Sequence, residues 1–247
     1  MWVIAHRGAS ALAPENTLAA FEMAVEMGAG FVEIDLHLSR DARLVAIHDD
    51  TLQRTTSGHG PVAAKTLEEL RQLDAGSWFD GRVARDAPAG AAHKSFPGER
   101  MPTIEEILAF AGKRNVGLFL ELKASGPSGI EHAILGALRA YDGILGNVIL
   151  SFDLTTLANL RRLEPLLMTG YLCTNPAEAV GKATSVGARQ LLPRADRITP
   201  ELVAEAHRSD LKVVAWTVDD PAQMRALAAA GVDGIITDDP GELVKLL

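Results

Sequence analysis

An α/β fold of the (β/α)8 barrel type is what this sequence of 247 residues predicts, and three observations point there. Short apolar runs of strand character alternate with helix-periodic stretches along the whole chain. About eight such pairs fit into a length close to the ~250 residues that a closed barrel of this kind occupies. Helix starts are well punctuated, five of them by a capping residue before Pro or three residues before Glu. An open doubly wound sheet is the competing architecture. It normally carries fewer strands, and no G-x-G-x-x-G follows the first strand here.

The elements follow in order. "MWVIA" is a first strand, and "NTLAAFEMAVEMGA" is a helix with Leu18, Phe21 and Val25 on one face and Asn16 as its N-cap. "FVEIDLHL" and "RLVAIH" are rich in strand formers. After a polar interlude come the helix "TIEEILAFAGKRN", the strand "VGLFLELK", the helix "GIEHAILGALRAYD" and the strand "NVILSF". The alternation then runs through "DLTTLANLRRLEP", "LLMTGYL", "NPAEAVGKATSVG", "ARQLL", "TPELVAEAHRSD", "LKVVAWTV", "DPAQMRALAAAG", "VDGIIT" and "PGELVKLL". Thr66 with Glu69 and Thr103 with Glu106 read as capping boxes. Thr199-Pro200, Asp220-Pro221 and Asp239-Pro240 each set an N-cap before a proline in the first turn.

One catalytic domain spanning residues 1–247 is expected, with a small insertion of about residues 50–102 between the second and third βα units. That segment breaks the rhythm with Gly, Pro and Ala and two neighbouring aromatics, and its expected use is a lid that shapes the substrate site. The composition, 47% hydrophobic and 23% charged, is that of a globular protein. A net charge of −8, with no Lys/Arg run longer than two, excludes a nucleic-acid footprint and a polybasic membrane patch. The lone Cys173 excludes an internal disulfide, and no apolar run reaches the ~18 residues of a membrane span. A cytoplasmic protein without stable membrane association is expected; its oligomeric state is open.

In such a barrel the active site forms at the C-terminal strand ends, and the polar residues interrupting the apolar runs fall there. Glu33 and Asp35 lie two apart on a strand and so share a face. Glu121 and Lys123 repeat that spacing on the next barrel strand. Three carboxylates without thiols make a hard oxygen site suited to one divalent cation, Mg²⁺ or Ca²⁺. A structural ion network with Arg7 and Lys123 is the other reading of the same residues. His37 shares the parity of Glu33 and Asp35 but is expected at the surface, beyond the strand end. His6 and His48, alone among seven histidines, close a strand just before a polar turn, as an acid–base pair would. Arg7 and Lys123 offer donors for a phosphate. Trp216 either walls the pocket or packs the barrel, and Asp238 is ambiguous. The set suits displacement at phosphorus, and no G-x-S-x-G is present for a serine nucleophile.

The stretches "AHRGAS…PENT", "EIDLHLSRD", "IHDDTLQRTT", "LDAGSWF", "GERMPTIEE", "LELK", "VVAWTVDD" and "GVDGIITDDP" together resemble the glycerophosphodiester phosphodiesterase family. The resemblance implies a TIM barrel that cleaves glycerophosphodiesters, such as glycerophosphocholine or glycerophosphoethanolamine, to an alcohol and sn-glycerol 3-phosphate. It implies His6 and His48 as the acid–base pair, Arg7 and Lys123 on the phosphate, and Glu33, Asp35 and Glu121 on the metal. It also implies a transient cyclic phosphate formed by the glycerol 2-hydroxyl. Two departures stand out. Asp41-Ala42 replaces the usual Asp-Gly before the His48 strand, so another hairpin turn type is expected. Asp219 replaces the usual Asn after W-T-V, adding a negative charge at the mouth if it faces the pocket. A lysophospholipase D-like activity, with Trp78, Phe79 and Phe96 lining an acyl groove, and a non-catalytic polyol-phosphate binder are the alternatives.

Overall fold

The structure, a computed structural model, describes residues 1–79, 95–123 and 128–247. The centre of the expected insertion, 80–94, lies outside the described residues. Nine strands form one sheet: β1 (Trp2–His6), β2 (Phe31–Leu38), β3 (Leu44–Ala46), β4 (Gly117–Leu122), β5 (Val148–Ser151), β6 (Met168–Cys173), β7 (Gln190–Pro193), β8 (Lys212–Ala215) and β9 (Gly234–Thr237). β1 pairs in parallel with both β2 and β9, and β2 with β4, so every strand except β3 belongs to a closed parallel barrel. β3 is added antiparallel to β2. Between the strands run α1 (Leu18–Glu26), α2 (Leu67–Arg71), α3 (Ile104–Arg114), α4 (Ile130–Ala140), α5 (Leu154–Leu163), α6 (Ala179–Ser185), α7 (Pro200–Arg208), α8 (Pro221–Ala229) and α9 (Pro240–Leu246).

Because side chains alternate along a strand, each barrel strand carries two columns. The outward column, such as Val32, Ile34, Leu118, Leu120, Ile149, Leu191, Val213 and Ile235, packs against the helices in the main core. The inward column forms a second cluster of Ile4, Phe119, Val148, Leu150, Leu172, Leu192, Val214 and Ile236. Its floor is aromatic: Trp2 and Phe31 lie 5.8 Å apart, and Phe31 meets Phe119 edge-on at 5.3 Å. Gly234 gives this floor room, since a Cβ there would stand 3.1 Å from the Trp2 Cβ.

The helix starts form as their sequences dictate. Both capping boxes close, and Thr199, Asp220 and Asp239 each cap a helix that has Pro in its first turn. The first helix differs from expectation by one residue. Thr17, not Asn16, accepts the Ala20 N–H, because Asn16 adopts a left-handed φ of 57° and turns its amide into the barrel mouth.

The chain between β2 and β4 builds a small annex on the barrel. The β2–β3 hairpin pairs Leu36 with Ala46 and Leu38 with Leu44. Its turn keeps a left-handed residue, Ala42 at φ 57°, so the absent glycine has not removed that conformation. Val45, Ile47, Leu52, Val62, Leu70, Ala75 and Met101 form a satellite core. Phe79 and Phe96 are buried in the main core and stack edge-on at 5.8 Å, while the Trp78 indole N–H donates to the Ala75 carbonyl. Phe79 and Phe96 thus tie the annex to the main core.

Candidate active site

The inward columns change character toward the C-terminal strand ends. On β1 the column reads Trp2, Ile4, His6; on β2 it reads Phe31, Glu33, Asp35; on β4 it reads Phe119, Glu121 and, just past the strand, Lys123. On β9 Ile236 is followed by Asp238, and on β8 Val214 by Trp216. Register then assembles the site, with His6 beside Glu33 and Asp35 beside Glu121 on three neighbouring strands.

Glu33, Asp35 and Glu121 are all buried, and one oxygen from each lies within 4.8 Å of the others. Lys123 Nζ bridges two of them, 2.8 Å from Asp35 Oδ1 and 2.6 Å from Glu121 Oε1. The Arg7 backbone N–H donates to Glu33 Oε2, and the Arg7 Nη1 donates to Glu15 Oε1 at 2.8 Å. Arg7 Nε lies 3.1 Å from Asp35 Oδ2 but outside hydrogen-bonding alignment, so that contact is an ion pair only. Asn16 holds Asp35 from two sides, donating its amide to Oδ2 and accepting the Asp35 backbone N–H. The turn that presents Arg7 requires Gly8: its φ is 85°, and a Cβ would meet the Ala20 backbone at 2.6 Å.

The two imidazoles flank the carboxylates, and each is fixed through Nδ1. His6 Nδ1 sits 2.6 Å from Asp238 Oδ1, which also accepts the Ser10 hydroxyl. His48, delivered by the segment after β3, sits 2.7 Å from Asp49 Oδ1. In both rings Nε2 is therefore the nitrogen left for chemistry. Arg54 forks onto Asp49 and Glu15 together. Trp216 donates its indole N–H to the Leu192 carbonyl and stacks edge-on with Phe152 at 5.6 Å. It is half-buried at the top of the inward column, so it both packs the barrel and borders the mouth. Asp219 is engaged elsewhere: it accepts the Asp238 backbone N–H and the Thr237 hydroxyl, which steadies the loop carrying Asp238.

A family model described as the glycerophosphoryl diester phosphodiesterase family matches residues 6–242, nearly the full run of these elements. The chain belongs to that family. It is thereby an enzyme of the phosphoric diester hydrolase class. It is 39% identical over 249 residues to the glycerophosphodiester phosphodiesterase of Caldanaerobacter subterraneus subsp. tengcongensis, covering 99% of this chain and 97% of that one. It is 33% identical over 253 residues to a glycerophosphodiester phosphodiesterase of Bacillus subtilis, covering 96% and 83%. Among solved structures, an Oleispira antarctica phosphodiesterase in complex with the product sn-glycerol-3-phosphate superposes with a TM-score of 0.88 at 31% identity, covering 100% and 96%.

The electrostatics of this phosphodiesterase test its fit to a metal. Burial, then the charge on Asp35, pushes the Glu33 carboxyl well above the ordinary carboxylate range. Burial and Asp35 push Glu121 up as well. Burial works against the Asp35 anion too, but Lys123 and Arg7 outweigh it and hold Asp35 low. Two of three clustered acids thus lack enough positive charge nearby, and a divalent cation bound by hard oxygens meets that demand. The donor set fits the group. The imidazoles diverge: burial disfavours a charged His6, yet the Asp238 hydrogen bond and the Glu33 charge raise it above its usual value. For His48 burial prevails over Asp35 and lowers it.

The sequence pattern places His37 at the surface, beyond the strand end. It is buried instead, because β2 continues to Leu38, and its Nε2 lies 3.1 Å from the His48 carbonyl, buttressing the segment that carries His48. The sequence does not single out Glu15, Asp49 or Arg54, offers Asn16 only as a helix cap, and leaves Asp238 ambiguous. Asp238 had a usable signal, since it continues the inward parity of Ile236.

Proposed function

We propose that this enzyme hydrolyses water-soluble glycerophosphodiesters, such as glycerophosphocholine or glycerophosphoethanolamine, to an alcohol and sn-glycerol 3-phosphate. The carrying observation is the pair of imidazoles, each pinned through Nδ1 by a carboxylate, on either side of a buried carboxylate triad with Arg7 and Lys123 beside it. When bound, a divalent cation (Mg²⁺ or Ca²⁺) held by Glu33, Asp35 and Glu121 would supply polarisation of a phosphoryl oxygen.

The chain's own residues account for the rest. Arg7 and Lys123 hold the remaining phosphate charge. His48, whose charged form burial disfavours, takes the proton of the glycerol 2-hydroxyl as that oxygen attacks phosphorus, and His6, which Asp238 biases toward its charged form, gives its proton to the departing alcohol oxygen. The resulting cyclic phosphate is opened by water with the roles reversed, His6 accepting the water proton and His48 returning one to the 2-oxygen. Both rings end in their starting states. Burial of Phe79 and Phe96 speaks against a lysophospholipid as the main substrate. Among the described residues no helix is long and apolar enough to cross a membrane.

The test is release of sn-glycerol 3-phosphate from glycerophosphocholine with Mg²⁺, with Ca²⁺ and with EDTA. Turnover that requires a divalent ion is expected, and undiminished turnover in EDTA would remove the metal from the scheme.

A further inference from the structure

We propose that Arg54 is a positioning residue, a single guanidinium that fixes the His48 ring and the Arg7 fork in one frame. The inference rests on the reading of His48 as an acid–base group and Arg7 as a phosphate holder. Arg54 Nε and Nη2 donate to Asp49 Oδ2 and Oδ1 at 2.7 and 2.9 Å. Its Nη1 and Nη2 donate to Glu15 Oε2 and Oε1 at 2.7 and 2.8 Å. Both carboxylates are thus gripped two-pronged, a geometry open to a planar guanidinium and closed to an ammonium.

Each carboxylate then passes the constraint inward. Asp49 Oδ1 lies on His48 Nδ1 at 2.7 Å, and Glu15 Oε1 accepts Arg7 Nη1 at 2.8 Å. The path His48–Asp49–Arg54–Glu15–Arg7 therefore joins the annex after β3 to the loop after β1, with every link a charge-assisted hydrogen bond. Glu15 is mostly buried between two guanidiniums, whereas the Arg54 side chain is 43% exposed. Arg54 commits Nε, Nη1 and Nη2 to these two carboxylates, and Glu15 both its oxygens to the two guanidiniums, so neither needs to touch substrate. Their contribution is to the placement of groups that do. Displacement of a reacting group by about 1 Å costs on the order of 100-fold in rate, which sets the scale expected for loss of this bracket.

The two branches also separate in kinetics. Slack in the Arg7 branch weakens the hold on phosphate and appears in KM, while slack in the His48 branch appears in kcat. The experiment compares full-length wild type, Arg54→Ala, Arg54→Lys, Glu15→Gln and Asp49→Asn on glycerophosphocholine with saturating divalent metal, alongside melting curves. Guanidinium chloride at non-denaturing concentration is added in a second series, matched by KCl. The Arg54→Ala variant is expected to lose about 100-fold in kcat/KM. Guanidinium, entering by the exposed side, is expected to restore about tenfold of that loss in Arg54→Ala alone. Arg54→Lys stays impaired, Glu15→Gln acts mainly on KM and Asp49→Asn mainly on kcat. Activity of Arg54→Ala within about threefold of wild type overturns the proposal, as does a loss that guanidinium leaves untouched. A failure of the underlying reading looks different: wild type is then inactive on the diester, or His48→Ala remains fully active.

Discussion

Replacing Asp238 by asparagine removes one charge from the site and leaves the surrounding loop tethered. The Asp238 backbone N–H stays on Asp219, and the neighbouring Thr237 hydroxyl donates to the same carboxylate oxygen, so the backbone has no reason to move. What changes is the 2.6 Å contact to His6 Nδ1, which becomes neutral and can select the wrong tautomer. A hydrogen bond to a charged group contributes about 1.5–3 kcal/mol. If that stabilisation belongs to the protonated ring that delivers a proton to the leaving alcohol, its loss lowers kcat by about 10- to 150-fold. With the carboxylate gone, burial is less opposed and the His6 pKa falls, so the alkaline limb of the kcat profile moves to lower pH. Steady-state kcat and KM for glycerophosphocholine across the neutral pH range measure both effects. A kcat within about twofold of wild type and an unmoved limb would refute the role given to the Asp238–His6 pair.

Three further outcomes are expected. Ala42→Gly relieves a left-handed alanine whose conformation costs about 1–2 kcal/mol, less the extra flexibility that glycine has when unfolded, for a net gain of about 0.5–1 kcal/mol in urea unfolding; a loss of stability would contradict it. Burial works against the Asp74 carboxylate, but the N–H groups of Ser77, Gly76 and Gly98 pull it down to about 2. Because its folded pKa lies below the unfolded ~3.9, its contribution is present above about pH 4 and lost as pH falls through about 2. Asp74→Ala should therefore cost about 1–2 kcal/mol at neutral pH, narrowing toward pH 2, and a pH-independent difference would sink the idea. Saturating divalent metal should raise the melting temperature, worth about 2.7 kcal/mol at a hundredfold excess over Kd, and Glu33→Gln should abolish most of the rise; calorimetry showing equal binding by both proteins would exclude the triad as the site.

Much of this site was readable because strand parity is a local property. Glu33-x-Asp35 and Glu121-x-Lys123 had to share a face whichever barrel formed around them, and they do. His6 was readable for the same reason, whereas His48, expected to close a strand, lies two residues beyond the end of β3 at Ala46. What local pattern withholds is which distant residue satisfies a polar group. Asn16 has the credentials of an N-cap, yet Asp35 makes a better partner for its amide, and the cap passes to Thr17. His37 appeared superficial because the hairpin that covers it joins residues 11 apart only after β3 folds back. Arg54 gave no signal, since Asp49 is a near neighbour in sequence but Glu15 reaches it only through the meeting of two loops 39 residues apart.

The two proposed acid–base groups do not belong to the same part of the molecule. His6 stands on a barrel strand that is hydrogen-bonded on both sides, whereas His48 arrives on a hairpin whose own core is a separate apolar cluster. If the smaller cluster opens before the barrel does, turnover depends on its docking as well as on the barrel. Denaturant or heat that detached the smaller unit first would silence the enzyme while its barrel, and most of its circular dichroism, stayed intact.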